Sequence, residues 1–459
     1  MTRDTSASAG SVLWFRRDLR LRDHPALLAA ALDGPVVALF VLDDVALRGA
    51  GPLRRAWLYR TLQALDADLR RYGGALVVRA GSPDDVVPQI AREVGAARVH
   101  VSADFTPYGV ARDDRVRSRL ATAGRELVET GSPYAVAPGR VLTAEGRPYQ
   151  VFTPFYRAWA AHGWRAPAAS VPSSVTWRVV SSDPIPSDPL PDNAVPPAGE
   201  DAALSVWSEF RDNGLRDYPR ARDRPDLDAT SHLSAYLKLG AIHPRTILAE
   251  LGPDDGAFAR QLAWREFYGH VLFGSPNSAH EDYRTTMSHL SYDEGLEADR
   301  RFAAWATGST GYPMVDAAMR QLLATGWMHN RLRMLTASFL VKDLHLDWRR
   351  GARHFMRHLL DADVANNQHG WQWVAGTGTD AAPYHRVFNP VTQGKRHDPD
   401  GGYVRRWVPE LAGVPADRVH APWPAPEGPP HDYPAPIVDH GVERAEALAR
   451  YAAARASSS

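Results

Sequence analysis

Short apolar runs alternate with longer periodic stretches in the N-terminal part of the chain. Val12–Phe15, Val36–Leu42, Ala75–Arg79 and Arg98–Val101 are short and rich in β-branched residues, which predicts buried strands. Between them, Pro25–Leu32, Pro52–Arg71, Pro83–Val94 and Ala111–Ala123 read as helices, and three of these open on a proline, which suits a first helical turn. Such alternation implies an α/β domain built on a parallel, doubly wound sheet. The first strand runs into Trp14-Phe15-Arg16-Arg17-Asp18 and not into GxGxxG, so a dinucleotide bound here is not held by the usual glycine fingerprint.

Beyond this region the pattern changes. An aromatic segment, VFTPFYRAWAAHGW, spans 151–164, and seven prolines follow between Pro172 and Pro197, marking an extended linker. From Asp201 onward the helical period dominates: Met314, Ala318 and Leu322 fall four apart, as do Val315, Met319 and Leu323. Gly326 interrupts, and Leu332, Leu335 and Phe339 resume the helical period. The organisation expected is an α/β domain over residues 10–135, an interdomain linker over 136–200 and a larger all-α domain over 201–459.

Composition narrows the chemistry. The chain has 459 residues and no cysteine, which excludes disulfides, thiolate metal sites and cysteine nucleophiles and fits a reducing, cytoplasmic compartment. No apolar run approaches the ~18 residues of a membrane span, and Met1–Gly10 has no apolar signal-peptide core. Lys and Arg together number 53, matched by 53 Asp and Glu, so binding to nucleic acid would rest on a local basic face.

Four polar-aromatic clusters stand out. Thr230-Ser231-His232-Leu233-Ser234 reads as a helix cap, and helix N-termini bind phosphate. Trp264-Arg265-Glu266-Phe267-Tyr268 offers an arginine for phosphate and a ring for stacking, or a core Trp and an Arg paired to Glu. The run from Gly326 to Met334 places Asn330 with Met334, and Trp327 with Arg331, on shared helical faces that suit a cavity wall. Asp361, Asp363, Asn366, Asn367, Trp371 and Trp373 provide acceptors and donors for a heterocycle. His354 and His358 have ligand-pair spacing, but no third ligand has a recognisable spacing, and no metal is expected. There is no GxSxG elbow and no Walker A motif. The residues therefore point to a helical cavity for a phosphate-bearing aromatic ligand.

Several stretches resemble the cryptochrome/DNA photolyase family. LWFRRDLRLRDHPAL is similar to its antenna-domain opening. TSHLSAYLKLGAI, WREFYGH, TGYPMVDAAMRQLLATGWMHNRLRM and GWQWVAGTGTDAAPYHRVFNP are similar to its flavin domain. The class I bacterial photolyases that repair cyclobutane pyrimidine dimers are the nearest type. The resemblance implies a light-driven carbon–carbon lyase, in which FAD as FADH⁻ passes an electron to a flipped-out dimer and recovers it after the ring splits. The alternatives are a cryptochrome-type photoreceptor and a (6-4) photolyase. The partner implied is UV-damaged DNA, bound by a monomer without a membrane.

Residue by residue, the resemblance assigns Tyr218 to the flavin's edge and Thr230, Ser231, His232, Leu233 and Ser234 to its phosphate turn. Arg265 would reach the pyrophosphate, and Asn330 would lie near the adenine and the lesion. Arg333 and Asp363 would form a buried pair over the ring, with Asp361 at its polar edge and Asn367 facing N5. Trp264 and Trp373 would stack on the pyrimidines; Gln261, Arg331 and Met334 would line the pocket; Arg222 would hold a phosphate. Trp371 and Trp348 match the first two tryptophans of an electron chain. Its third position aligns with Gly295, with Tyr292 and Trp305 nearby as surface candidates. Phe40, Asp43, Arg54 and Asp104 resemble an antenna site for 8-hydroxy-5-deazaflavin more than for a methenyl folate. Two positions depart from the pattern: His232 stands where bacterial members commonly have Arg, and Gln261 where dimer-repairing members usually have Glu and (6-4) photolyases and many cryptochromes have Gln. Against the (6-4) type, those enzymes have a histidine pair where this chain has Asn330 and Met334.

Overall fold

Five strands, β1 Ser11–Phe15, β2 Val36–Leu42, β3 Leu76–Ala80, β4 Arg98–Val101 and β5 Glu126–Glu129, pair in parallel in the order β3-β2-β1-β4-β5. The computed structural model describes residues 10–170, 175–287, 289–380, 386–423 and 432–456. Strand alternation divides the sheet's side chains between two cores. Val12, Trp14, Val37, Leu39 and Val41 pack on one face, and Leu13, Phe15, Ala38, Phe40 and Leu42 on the other. Both faces are covered, which explains why these strands read as continuous apolar runs.

Helices α1 Pro25–Asp33, α2 Pro52–Arg71, α3 Pro83–Glu93 and α4 Pro107–Thr122 connect the strands. The fourth also opens on a proline, four residues before the start expected from sequence, and its cap, Thr106, accepts from Gly109 N at 3.1 Å. The strand β5 was not expected; its sequence, ELVE, has only two apolar residues between two acids.

Contacts divide the chain into two compact units. The first takes in the chain up to Tyr149, Thr153–Asp212 and Ser231–Pro276; the second takes Gln150–Phe152, Asn213–Thr230 and the chain from Asn277 on. These units cut across the expected boundaries at 135 and 200. Much of the segment expected as a linker packs into the first unit: Val36 N donates to Thr176 O (2.8 Å), Asp183 N to Val78 O (2.9 Å), and Arg60 pairs with Asp188 (2.8 Å). It also contains a helix, α5 Phe152–His162, after which come α6 Glu200–Asn213, α7 Ser234–Leu239 and α8 Gly256–Gly274.

Buried polar bonds tie α7 and α8 to the rest of the first unit. Glu266 of α8 accepts from the N–H groups of Ala135 and Val136 and from Trp159 Nε1. Arg20 donates to Gly240 O at 3.0 Å, and Leu19 N to Leu239 O at 3.0 Å. Gly240 ends α7 at φ +70, and a Cβ there would sit 2.1 Å from Arg17 O. Gly240→Ala is therefore expected to destabilise the protein by about 2–4 kcal/mol, from a left-handed alanine and overpacking together. Denaturant titration should show a lower midpoint with an unchanged slope.

The second unit is helical, with no strand among its described residues: α9 Leu296–Thr307, α10 Pro313–Thr325, α11 Asn330–Ser338, α12 Trp348–His358, α13 Val364–Ala375, α14 Pro390–His397, α15 Gly402–Trp407 and α16 His440–Ala456. Gly326, at φ +68, closes α10, and Phe339–Asp343 continues α11 as a π-helical turn. No helix among the described residues is long and apolar enough to cross a membrane.

Candidate active site

In the second unit, α11 and α13 carry most of the expected residues. His329 caps α11, accepting from Arg331 N at 3.1 Å. One turn along, Asn330 Nδ2 meets Met334 Sδ at 3.9 Å, so this face of α11 offers an amide beside a thioether. Arg331 Nη2 donates to Asp223 Oδ1 at 2.7 Å.

Arg333 makes a two-pronged pair with Asp361, Nη1 to Oδ1 at 3.1 Å and Nη2 to Oδ2 at 2.8 Å, and its Nε donates to Met328 O at 2.8 Å. The carboxylate on the Arg333 fork is thus Asp361, where Asp363 was expected. Asp363 instead caps α13, with Oδ1 accepting from Asn366 N (3.0 Å) and Asn366 Nδ2 (2.8 Å). A side chain directly before a helix satisfies free N–H groups of its first turn, which removes Asp363 from the role assigned to it.

Asn367 donates through Nδ2 to Ala352 O (3.1 Å) and Gln368 Oε1 (2.9 Å). Tyr218 is buried, and burial pushes its phenol up to about 12 despite nearby Arg222. Thr230 Oγ1 is buried with no hydrogen-bond partner among the described residues. Buried hydroxyls are normally satisfied, so this atom is suited to bond an oxygen of a bound group, such as a flavin phosphate.

The aromatic groups are closely packed. Trp371 lies edge-on to Phe355 at 5.0 Å and to Trp305 at 6.0 Å. Gly351 passes beneath it; a Cβ there would be 2.1 Å from Trp371 Cη2. Trp348 is fully buried and donates to Asp282 Oδ1 at 2.8 Å, while Trp373 is partly buried against the same core. Trp305, held by Thr336 O at 3.0 Å, is fully buried and cannot be the surface end of an electron chain, which corrects that expectation. Tyr292 is only partly buried, and burial pushes its phenol up. His354 and His358 touch at 4.6 Å; burial and His358 push His354 down to about 4.

The first unit holds the remaining residues. In the phosphate turn, Ser231 Oγ accepts from Leu233 N at 3.4 Å; Leu233 is buried and Ser234 exposed. His232 takes the left-handed conformation at φ +52, unusual for a residue with a Cβ. On α8, Gln261 Nε2 reaches Ala257 O at 3.4 Å, and half-buried Trp264 contacts Phe267 and Tyr268. Arg265 donates to Pro133 O (2.9 Å) and Leu237 O (3.3 Å) and lies 4.8 Å over Tyr134.

Sequence reasoning missed most of a charged cluster at the C-terminal edge of the sheet. Arg16 and Arg112 lie over Trp14 at 4.7 and 5.1 Å; Arg16 pairs with Asp113, and Arg112 with Asp104 at 3.2 Å. Tyr108 donates to Asp43, which caps the turn at Val45 N (3.0 Å); burial and that bond push the phenol up to about 12. Burial opposes ionisation of Asp104, but Arg17, Arg112 and Arg16 outweigh it and hold its carboxyl well below the usual range. Phe40 is a core residue of β2, and Arg54 is half-buried on α2. The strand order reverses between β1 and β4, the place where doubly wound sheets bind ligands. Arg16-Arg17-Asp18 directly after β1 was the available signal.

The sequence matches the family described as DNA photolyase over residues 11–173, and that described as FAD binding domain of DNA photolyase over 258–453. It is 45% identical to a deoxyribodipyrimidine photo-lyase of Streptomyces griseus, covering 97% of this chain and 99% of the relative. An Escherichia coli deoxyribodipyrimidine photo-lyase is 39% identical, covering 97% and 98%. Among solved structures, a class III photolyase from Agrobacterium tumefaciens superposes with a TM-score of 0.91 at 37% identity, covering 99% of this chain and 100% of that one. An archaeal photolyase from Sulfolobus tokodaii, solved with two FAD molecules, gives 0.86 at 29% identity, covering 97% and 100%. Identity at this level across the full length, with both halves matched, places the chain in the cryptochrome/DNA photolyase family as a photo-lyase with an FAD-binding domain.

Proposed function

We propose that this photo-lyase splits cyclobutane pyrimidine dimers in DNA under blue or near-UV light. The observation that carries the substrate class is the Asn330–Met334 pair on one turn of α11. Neither side chain can act as a proton donor of the kind a histidine pair provides, so the proton-dependent (6-4) chemistry has no donor there. The names of the relatives, deoxyribodipyrimidine photo-lyases, agree with this reading.

Bound FAD, reduced, supplies the electron when excited. The chain's residues hold and shield it. Thr230, Ser231, His232, Leu233, Ser234 and Arg265 would take its phosphates; Tyr218, Asp361 on Arg333, and Asn367 would border its ring; Asn330 would lie near the adenine. Trp264 and Trp373 would stack on the flipped pyrimidines, with Gln261, Arg331 and Met334 lining the pocket, while Arg222 would take a backbone phosphate. Trp371 and Trp348 carry electrons inward during activation. The cluster around Asp43, Asp104, Tyr108 and Arg112 favours an antenna at the β1/β4 edge, which we assign to 8-hydroxy-5-deazaflavin in preference to a methenyl folate.

The test uses purified, chemically reduced protein with oligonucleotides carrying either a cyclobutane thymine dimer or a (6-4) product, in blue light and in darkness. Light-dependent restoration of the first alone is expected. Restoration of the second alone would overturn the substrate class, and restoration of neither with flavin retained would overturn repair itself.

A further inference from the structure

Four groups of the second unit, Arg222, Asp223, Arg331 and His397, form a charged cluster at the start of α11 and the end of α14. Asp223 Oδ1 accepts from Arg331 Nη2 at 2.7 Å, with the side chains 44% and 23% exposed respectively. Burial opposes the Asp223 charge, but the Arg331 hydrogen bond and charge, followed by Arg222 and His397, outweigh it and hold the carboxyl below its usual range. His397 is pushed down by its own burial and then by Arg331, with Asp223 acting the other way. One carboxylate therefore faces two permanent cations and a histidine.

Arg331 is incompletely engaged. Nη2 makes the only hydrogen bond of its side chain among the described residues, and Nε is buried without a partner. A guanidinium fork binds phosphate through two parallel N–H groups, and a carboxylate presents the same charge and acceptor geometry. The partly exposed pair is also of the kind that holds weakly against a competing ion.

We propose that Asp223 is an internal stand-in for a DNA phosphate: it holds the Arg331 fork in place without DNA and gives it up when a backbone phosphate arrives. Asp223 is thus a positioning residue that sets how tightly and how salt-dependently DNA is held. This rests on the reading that Arg222 and Arg331 face DNA.

The experiment compares wild-type protein with Asp223→Asn and Asp223→Ser, each checked for folding by far-UV circular dichroism. Fluorescence anisotropy of labelled duplexes, one with a cyclobutane dimer and one undamaged, is read across a salt series. Both variants are expected to bind both duplexes more tightly, about fivefold at low salt, with the gain shrinking as salt screens the competing Asp223 charge, so that log K falls more steeply with log salt than in wild type. Unchanged affinity and slope would overturn the proposal. Weaker binding would overturn it too, making Asp223 a brace that Arg331 needs when it binds. A purely structural role would change the unfolding midpoint and leave the slope alone. If wild-type protein binds neither duplex, the DNA-facing reading fails first and this inference with it.

Discussion

With Trp371 replaced by phenylalanine, blue light and an external reductant are expected to leave the bound flavin oxidised, while chemically reduced enzyme still repairs. Trp371 is 2% exposed, edge-on to Phe355 and Trp305, and sits over Gly351. Phenylalanine keeps an aromatic ring in this slot, so the fold should survive with a loss of about 1–3 kcal/mol for the cavity and repacking. It is far harder to oxidise than tryptophan. At ~59 mV per tenfold in a one-electron equilibrium, even about 0.12 V of added potential lowers the equilibrium population of the oxidised ring about a hundredfold. Absorbance of the oxidised flavin under steady illumination measures this directly. Reduction at the wild-type rate would remove Trp371 from the route. A Trp348→Phe companion separates two paths beyond it. Retention of part of the rate there would assign the remainder to Trp305, which touches Trp371 but ends in the core.

The α/β sheet was legible because each of its central strands is buried on both faces and so appears as an uninterrupted apolar run. β5 escaped because an edge strand of four residues, acidic at both ends, has too little apolar content to stand out. The proline-rich segment misled for a related reason. Its backbone hydrogen bonds to Val36 and Val78 and its Asp188 pair with Arg60 reach residues more than a hundred positions away, and composition reports only local stiffness. The same limit governs the compact units. What joins α8 to the earlier chain is Glu266 receiving two backbone N–H groups and an indole, and nothing in WREFYGH distinguishes that glutamate from one paired to Arg265.

At the site, the kinds of side chain were legible and their partners were not. Spacing placed Asn330 with Met334 because a helix fixes positions four apart. The partner of Arg333 depended on whether Asp361 or Asp363 stood at the cap of α13, a difference of two residues where helix boundaries are least certain from sequence. Once Asp363 takes the cap, Asp361 is the carboxylate left for the fork.

That distinction has a measurable consequence. Replacing Arg333 by methionine, Asp361 by asparagine, and both together should give a coupling of about 1–3 kcal/mol in stability, as expected for two groups in direct contact. Asp361 is nearly buried while Arg333 is a quarter exposed, so each single change leaves a charge only partly rescued by water. Flavin content should fall in the same variants, because the pair borders the proposed ring site. Arg333 with Asp363→Ala should instead be additive, the second change costing about 1 kcal/mol through loss of the cap on α13. Chemical denaturation of the six proteins, with absorbance read for bound flavin, decides between the two carboxylates. Coupling to Asp363 and not to Asp361 would return the ion pair to the arrangement expected from the family resemblance.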